Sequence, residues 1–183
     1  MNISKKISAV CIVVLVLSAF WWHKANTLKT EYSGSERSYI AMWISQEAAF
    51  IRAFSEDALN FINSSNYTGA VVSIKHTEGV MMSFREPLYM ITLHKDGFNT
   101  SMLKMTQTDS CVNFLELSAE IIPRGDDDDI KVVKEGLTEI WNFSDQLLKR
   151  YPLSARASEE TLRRNWELQN KCRILLEKLE NKG

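Results

Sequence analysis

Residues 7–22 form a run without a charged side chain: Ile7, Ser8, Ala9, Val10, Cys11, Ile12, Val13, Val14, Leu15, Val16, Leu17, Ser18, Ala19, Phe20, Trp21, Trp22. Lys5 and Lys6 precede it; His23 and Lys24 follow. A helix of 16 residues spans about 24 Å at ~1.5 Å per residue. That lies at the lower edge of the ~17–25 residues needed to cross a bilayer.

A secretory signal has an apolar region of ~7–15 residues and a small-residue cleavage site. Cleavage after Ala19 would place Leu17 two residues earlier, and cleavage after Ala25 would place His23 there. Neither fits. Cys11 lacks the small residues a lipoprotein site needs before it. Trp21 and Trp22 suit an interfacial aromatic belt, and Lys24 can snorkel into headgroups. The sequence therefore predicts an uncleaved transmembrane signal anchor at 7–24, after a short cytoplasmic tail at 1–6. A cleaved signal and a buried soluble helix are the competing readings. Short basic flanks place the N-terminus inside and the body outside. The expected location is a bacterial inner membrane, single-pass, with a periplasmic C-terminal domain at 35–183 beyond a linker at 25–34.

Setting aside Lys5, Lys6, Lys24, Lys29 and Glu31, the rest of the chain keeps 18 of the 22 Lys and Arg and 22 of the 23 Asp and Glu, a net charge of −4. No basic patch stands out, which argues against nucleic acid. The 151 residues from 33 onward are enough for one domain with its own core. Outside the apolar run the cysteines are Cys111 and Cys172, a natural disulfide pair in an exported domain. Two free buried thiols are the alternative. Sequons at Asn2, Asn63, Asn66, Asn99 and Asn142 matter only in a eukaryotic secretory pathway.

Ser33 and Glu36 make a capping box that predicts a helix start. Ile40, Trp43, Ile44, Ala48, Ile51, Phe54, Ala58, Phe61 and Ile62 then recur at helical spacing. The middle of the chain reads as β. Strands are expected at 68–76, 80–84, 88–94, 98–105 and 111–122, with Asp96-Gly97 as a hairpin turn and Pro87 and Pro123 as breaks. Four aspartates at 126–129 open an amphipathic helix carrying Ile130, Val133, Leu137, Ile140, Trp141, Leu147 and Leu148. Pro152 ends it. The last helix begins at 158–160, with a stripe of Leu162, Trp166, Gln169, Cys172, Leu176 and Leu179. The expected fold is α+β: a long helix, an antiparallel sheet of about four strands and two closing helices.

The aspartate run could gather a hard cation, but it lacks calcium-loop spacing, and capping of a helix N-terminus explains it. Arg124-Gly125-Asp126 spells an adhesion tripeptide too short to be specific. His76 and His94 could serve a metal only with a carboxylate added; half-exposed sheet positions are the plainer account. No nucleophile elbow, phosphate loop or H-E-x-x-H is present. Trp43, Trp141 and Trp166 fall on helix stripes, as core residues or as the lining of an aromatic pocket. Trp43, Ile51 and Phe54 mark a possible partner face on the first long helix. These features predict no catalytic residue, cofactor or metal. They predict a non-enzymatic interaction or regulatory module of the accessory or immunity type. Its partner would be an envelope protein or a second copy, a small-molecule ligand being unlikely. A single-span phage lysis protein and a small-ligand sensor are the alternatives.

Overall fold

The computed structural model describes residues 3–93, 100–124, 126–149 and 155–181. Among them it contains helices and no strand: α1 Ile3–Asn63, α2 Tyr67–Leu93, α3 Thr100–Lys104, α4 Asp109–Ile121, α5 Asp127–Lys149 and α6 Ala155–Glu180. A single 3-10 turn at Ile122–Arg124 follows α4. The chain divides into two compact units, Met1–Tyr39 and Ile40–Gly183.

In the first unit α1 is continuous, so neither the linker at 25–34 nor a helix start at Ser33 is present. Most side chains of the apolar run, Trp21 included, lie outside the described residues. Trp22, His23, Lys24, Asn26 and Thr27 are exposed. Among the described residues no helix is long and apolar enough to cross a membrane. This overturns the transmembrane anchor and the single-pass inner-membrane location, on which the membrane-interface reading of Trp21, Trp22 and Lys24 depended. The physical reason is length: about 24 Å of apolar helix falls short of a hydrocarbon core of about 30 Å, and polar residues follow at once. The lysis alternative depends on a spanning anchor.

In the second unit the predicted sheet is replaced by helices. Ala70, Ile74, Thr77, Met81, Phe84, Leu88 and Ile91 are among the buried positions of α2. Their steps of three and four define one helical face. The strand expectation at 68–94 came from β-branched residues and from Pro87, yet Pro87 is buried within α2. Thr77 is core because its hydroxyl donates to the Ser73 carbonyl at 2.9 Å, which satisfies it inside the helix. The strand expected at 111–122 is α4, whose buried residues are Cys111, Phe114, Leu115, Ser118, Ala119 and Ile121. Part of the one expected at 98–105 is the short α3. His94 and the Asp96-Gly97 turn lie outside the described residues.

The turn between α1 and α2 is built by three residues. Ser65 takes a φ of 56°, the left-handed conformation common just past a helix end. The Asn66 N–H then donates to the Phe61 carbonyl at 2.8 Å, and the Ser65 N–H to that of Ile62 at 3.0 Å. Asn66 also starts α2, its Oδ1 accepting the Gly69 N–H at 3.1 Å, an N-cap bond. So short a turn sends α2 back along α1. Accordingly Phe54 and His76, eleven residues either side of Ser65, meet with ring centroids 5.0 Å apart.

Helix α4 packs against both α2 and α6, and α5 packs along α6. The α5–α6 register is antiparallel. Lys171 reaches Glu139 at 2.5 Å, Lys178 reaches Glu135 at 3.6 Å, and Arg164 donates to Gln146. Exposed pairs of this kind add little stability each, but together they mark the alignment.

Candidate functional site

Three polar positions on α6 grip the segment that leads into α4. Asn165 is fully buried, and its Nδ2 donates to the carbonyls of Met105 at 2.8 Å and Gln107 at 2.9 Å. One turn on, the Gln169 Oε1 accepts the Cys111 N–H at 3.1 Å, and its Nε2 lies 3.1 Å from the Cys111 sulfur. Thr108, the N-cap of α4, makes no side-chain cap bond. Gln169 therefore supplies from another helix the acceptor that an N-terminal N–H requires. One turn further, Cys172 joins Cys111 in a disulfide, with Cα atoms 5.0 Å apart and a sequence separation of 61. The sequence paired these cysteines and placed Gln169 on the stripe. It did not reveal what Asn165 and Gln169 hold, although polar residues at i and i+4 before a buried Cys at i+7 were a readable signal.

A second polar cluster fixes α1 to α5. Asp145 is buried and pairs with Arg52 at 3.5 Å and Lys149 at 2.5 Å, which compensates the burial of its charge. The Arg52 guanidinium lies 5.5 Å from the centroid of the Trp141 ring. The Trp141 indole in turn donates to Glu56 at 3.4 Å.

The tryptophans do not line a common pocket. Trp43 is half-buried and donates to Glu47 at 3.2 Å; Trp141 belongs to the α1–α5 seam; Trp166 is 37% exposed. The partner face marked by Trp43, Ile51 and Phe54 needs correcting. Ile51 is fully buried and belongs to the core. Phe54 is half-buried between Phe50 and His76. The outward side of α1 in this unit instead carries Met42 and Phe50. Phe50 lies on the Trp43–Phe54 side of the helical wheel and Met42 about a third of a turn beyond, so the exposed line is displaced from the stripe rather than opposite it.

Among the described residues no group of three His, Cys, Asp or Glu side chains is placed to hold a metal ion. Asp126 caps α5: its Oδ1 accepts the Asp128 N–H at 3.0 Å and the Asp129 N–H at 3.1 Å. Asp127, Asp128 and Asp129 fill the first turn, where the helix dipole favours negative charge. Asp126→Ala is expected to cost about 1 kcal/mol, and calcium or magnesium is expected to leave the melting temperature of either protein unchanged. Thermal unfolding with each ion and with chelator checks this. A metal-dependent rise of several degrees that disappears in Asp126→Ala would assign the run to cation binding.

The largest charge perturbation is at Glu160. Hydrogen bonds from Arg163 and Arg164 pull its carboxyl down to about 2. Lys75 is raised, first by its hydrogen bond to Glu78. Both belong to ion pairs within one helix, and Lys75 is raised further by Glu116 and Glu120 on α4. An open cleft of about 410 Å³ beside Glu160 is lined by Met102, Met105, Leu162 and Arg163.

Large apolar side chains on the surface are distributed unevenly. In the unit Ile40–Gly183 the exposed ones among the described residues are Met42, Phe50, Val72, Met82, Tyr89 and Leu93 on the α1–α2 hairpin, against Trp166 and Ile174 on α6. None is on α4 or α5. No family model matches the chain, no curated protein is similar to it, and no solved structure resembles its fold.

Proposed function

We propose that this protein is a non-enzymatic interaction module whose α1–α2 hairpin receives a protein partner. The supporting observation is the surface asymmetry: among the described residues of the helical unit, six of the eight exposed large apolar side chains belong to those two helices. A helix that is apolar on both its inner and outer sides is normally covered on both, and concentrated apolar surface marks interaction sites. The cleft beside Met102, Met105 and Leu162 lacks the enclosure typical of a small-molecule site, so a ligand sensor ranks second.

A photo-reactive amino acid placed at Phe50 or Tyr89 in the native host is expected to form protein adducts. The same probe at Glu139 or Lys171, on the charged α5–α6 side, is expected to form none. Equal labelling from both sides, or none from the hairpin, would remove the interaction reading.

A further inference from the structure

We infer that Cys111 is the reactive sulfur of the Cys111–Cys172 pair, and that Gln169 is the positioning residue that makes it so. In the reduced protein Cys111 carries the thiolate and attacks the oxidant, and Cys172 follows as the resolving thiol. Both cysteines are fully buried, so desolvation opposes ionisation at each and does not choose between them. Their surroundings differ. Cys111 is the third residue of α4, in the first turn, where the helix dipole favours negative charge. Its sulfur also lies 3.1 Å from the Gln169 Nε2, an N–H donor whose bond strengthens when the acceptor is ionised. Cys172 lies within α6, where backbone N–H groups are committed to the helix. Among the described residues no hydrogen bond is donated to its sulfur.

The neighbouring charges do not reverse this difference. Asp109, at the start of α4, is exposed, and solvent screens it. Lys171 and Arg173, on either side of Cys172, are exposed and paired with Glu139 and Glu177. Gln169 does not depend on the bridge for its place. Its Oε1 accepts the Cys111 N–H, and Asn165 holds the carbonyls of Met105 and Gln107. These bonds tie α6 to the start of α4 without passing through the sulfurs. The exchange balances with a low-molecular-weight disulfide as oxidant. The Cys111 thiolate attacks one of its sulfurs, forms a mixed disulfide on Cys111 and releases one small thiolate. The Cys172 thiol loses its proton to solvent and attacks the Cys111 sulfur, expelling the second. The small disulfide is reduced to two thiols, and the two protein thiols are oxidised to the bridge.

Two measurements on the full chain test this. Reduced protein, freed of reductant, is mixed with oxidised glutathione, quenched with acid at intervals and mapped by mass spectrometry. Glutathione is expected on Cys111 in roughly tenfold excess over Cys172, the scale of one hydrogen bond to a charged group. Gln169→Met keeps the length of the side chain but donates nothing, and is expected to abolish that excess. The bridged protein is then titrated against a glutathione redox buffer. Gln169→Met is expected to make the bridge about tenfold harder to reduce, a shift of about 30 mV, because the thiolate loses its donor. A glutamine that only braced the bridged form would give the opposite sign. Equal modification of the two cysteines, glutathione mainly on Cys172, or a Gln169→Met bridge reduced as easily as wild type or more easily would each overturn the assignment.

Discussion

Replacing both bridged cysteines, Cys111→Ala with Cys172→Ala, is expected to lower the unfolding free energy by about 4 kcal/mol and the melting temperature by about 10 °C. The bridge closes a loop of 61 residues, and chain-entropy loss in the unfolded state grows with loop length. Reduction of the wild-type protein should reproduce the shift. The lesion should also be local before it is global. Residues 105–111 are held by Asn165, by Gln169 and by the bridge, all on one side of α6. Amide exchange should therefore accelerate first around 105–111, while the α5–α6 seam stays protected. Both cysteines are fully buried, so reduction should need denaturant or long incubation. Denatured, non-reduced protein whose cysteines both label with a thiol reagent would show that the bridge is absent from the isolated protein. An unchanged melting temperature in the double variant would show that it contributes nothing.

The helices at the two ends of the domain were legible because their patterns are long and unbroken. Ile40, Ile44, Ala48, Ile51, Ala58 and Ile62 are buried on α1, as are Ile130, Val133, Leu137 and Ile140 on α5. The middle was misread for two physical reasons. First, the core side of α2 includes Ser73 and Thr77, so its 3.6-residue period is masked when only apolar residues are counted. Second, Val71, Val72, Ile74 and Pro87 favour strand and breaks locally, and tertiary packing overrides propensities of a few tenths of a kcal/mol. Tyr89, Ile91 and Leu93 looked like strict alternation. In a strand all three would share one face; on the helix Tyr89 and Leu93 point outward and Ile91 inward, so the alternation did not mark a buried side. The cysteine pair was readable from count alone. The outward apolar line of α2 was not, because which side of a helix faces solvent is settled only by what packs on the other.

Gly136→Ala is expected to destabilise the protein by about 2–3 kcal/mol, although alanine is the better helix former by about 1 kcal/mol. Gly136 lies in the middle of α5 and is buried. A Cβ built there would stand 2.1 Å from Cζ and 2.3 Å from Cε1 of Phe114. Phe114 is itself fully buried on α4, so its ring has no open space to swing into. The glycine is there to let an aromatic ring from α4 touch the backbone of α5. In close-packed interiors an added methyl group must displace its neighbours, and the strain exceeds the propensity gain. The cause can be isolated with Phe114→Leu, which removes the ring atoms that collide. Alone it is expected to cost about 1–2 kcal/mol through the lost packing. Combined with Gly136→Ala the two should cost less than their sum by 1 kcal/mol or more, the mark of residues in direct contact. Urea unfolding of all four proteins closes the cycle. Strict additivity, or a Gly136→Ala variant at least as stable as wild type, would show that α4 and α5 do not approach through this ring.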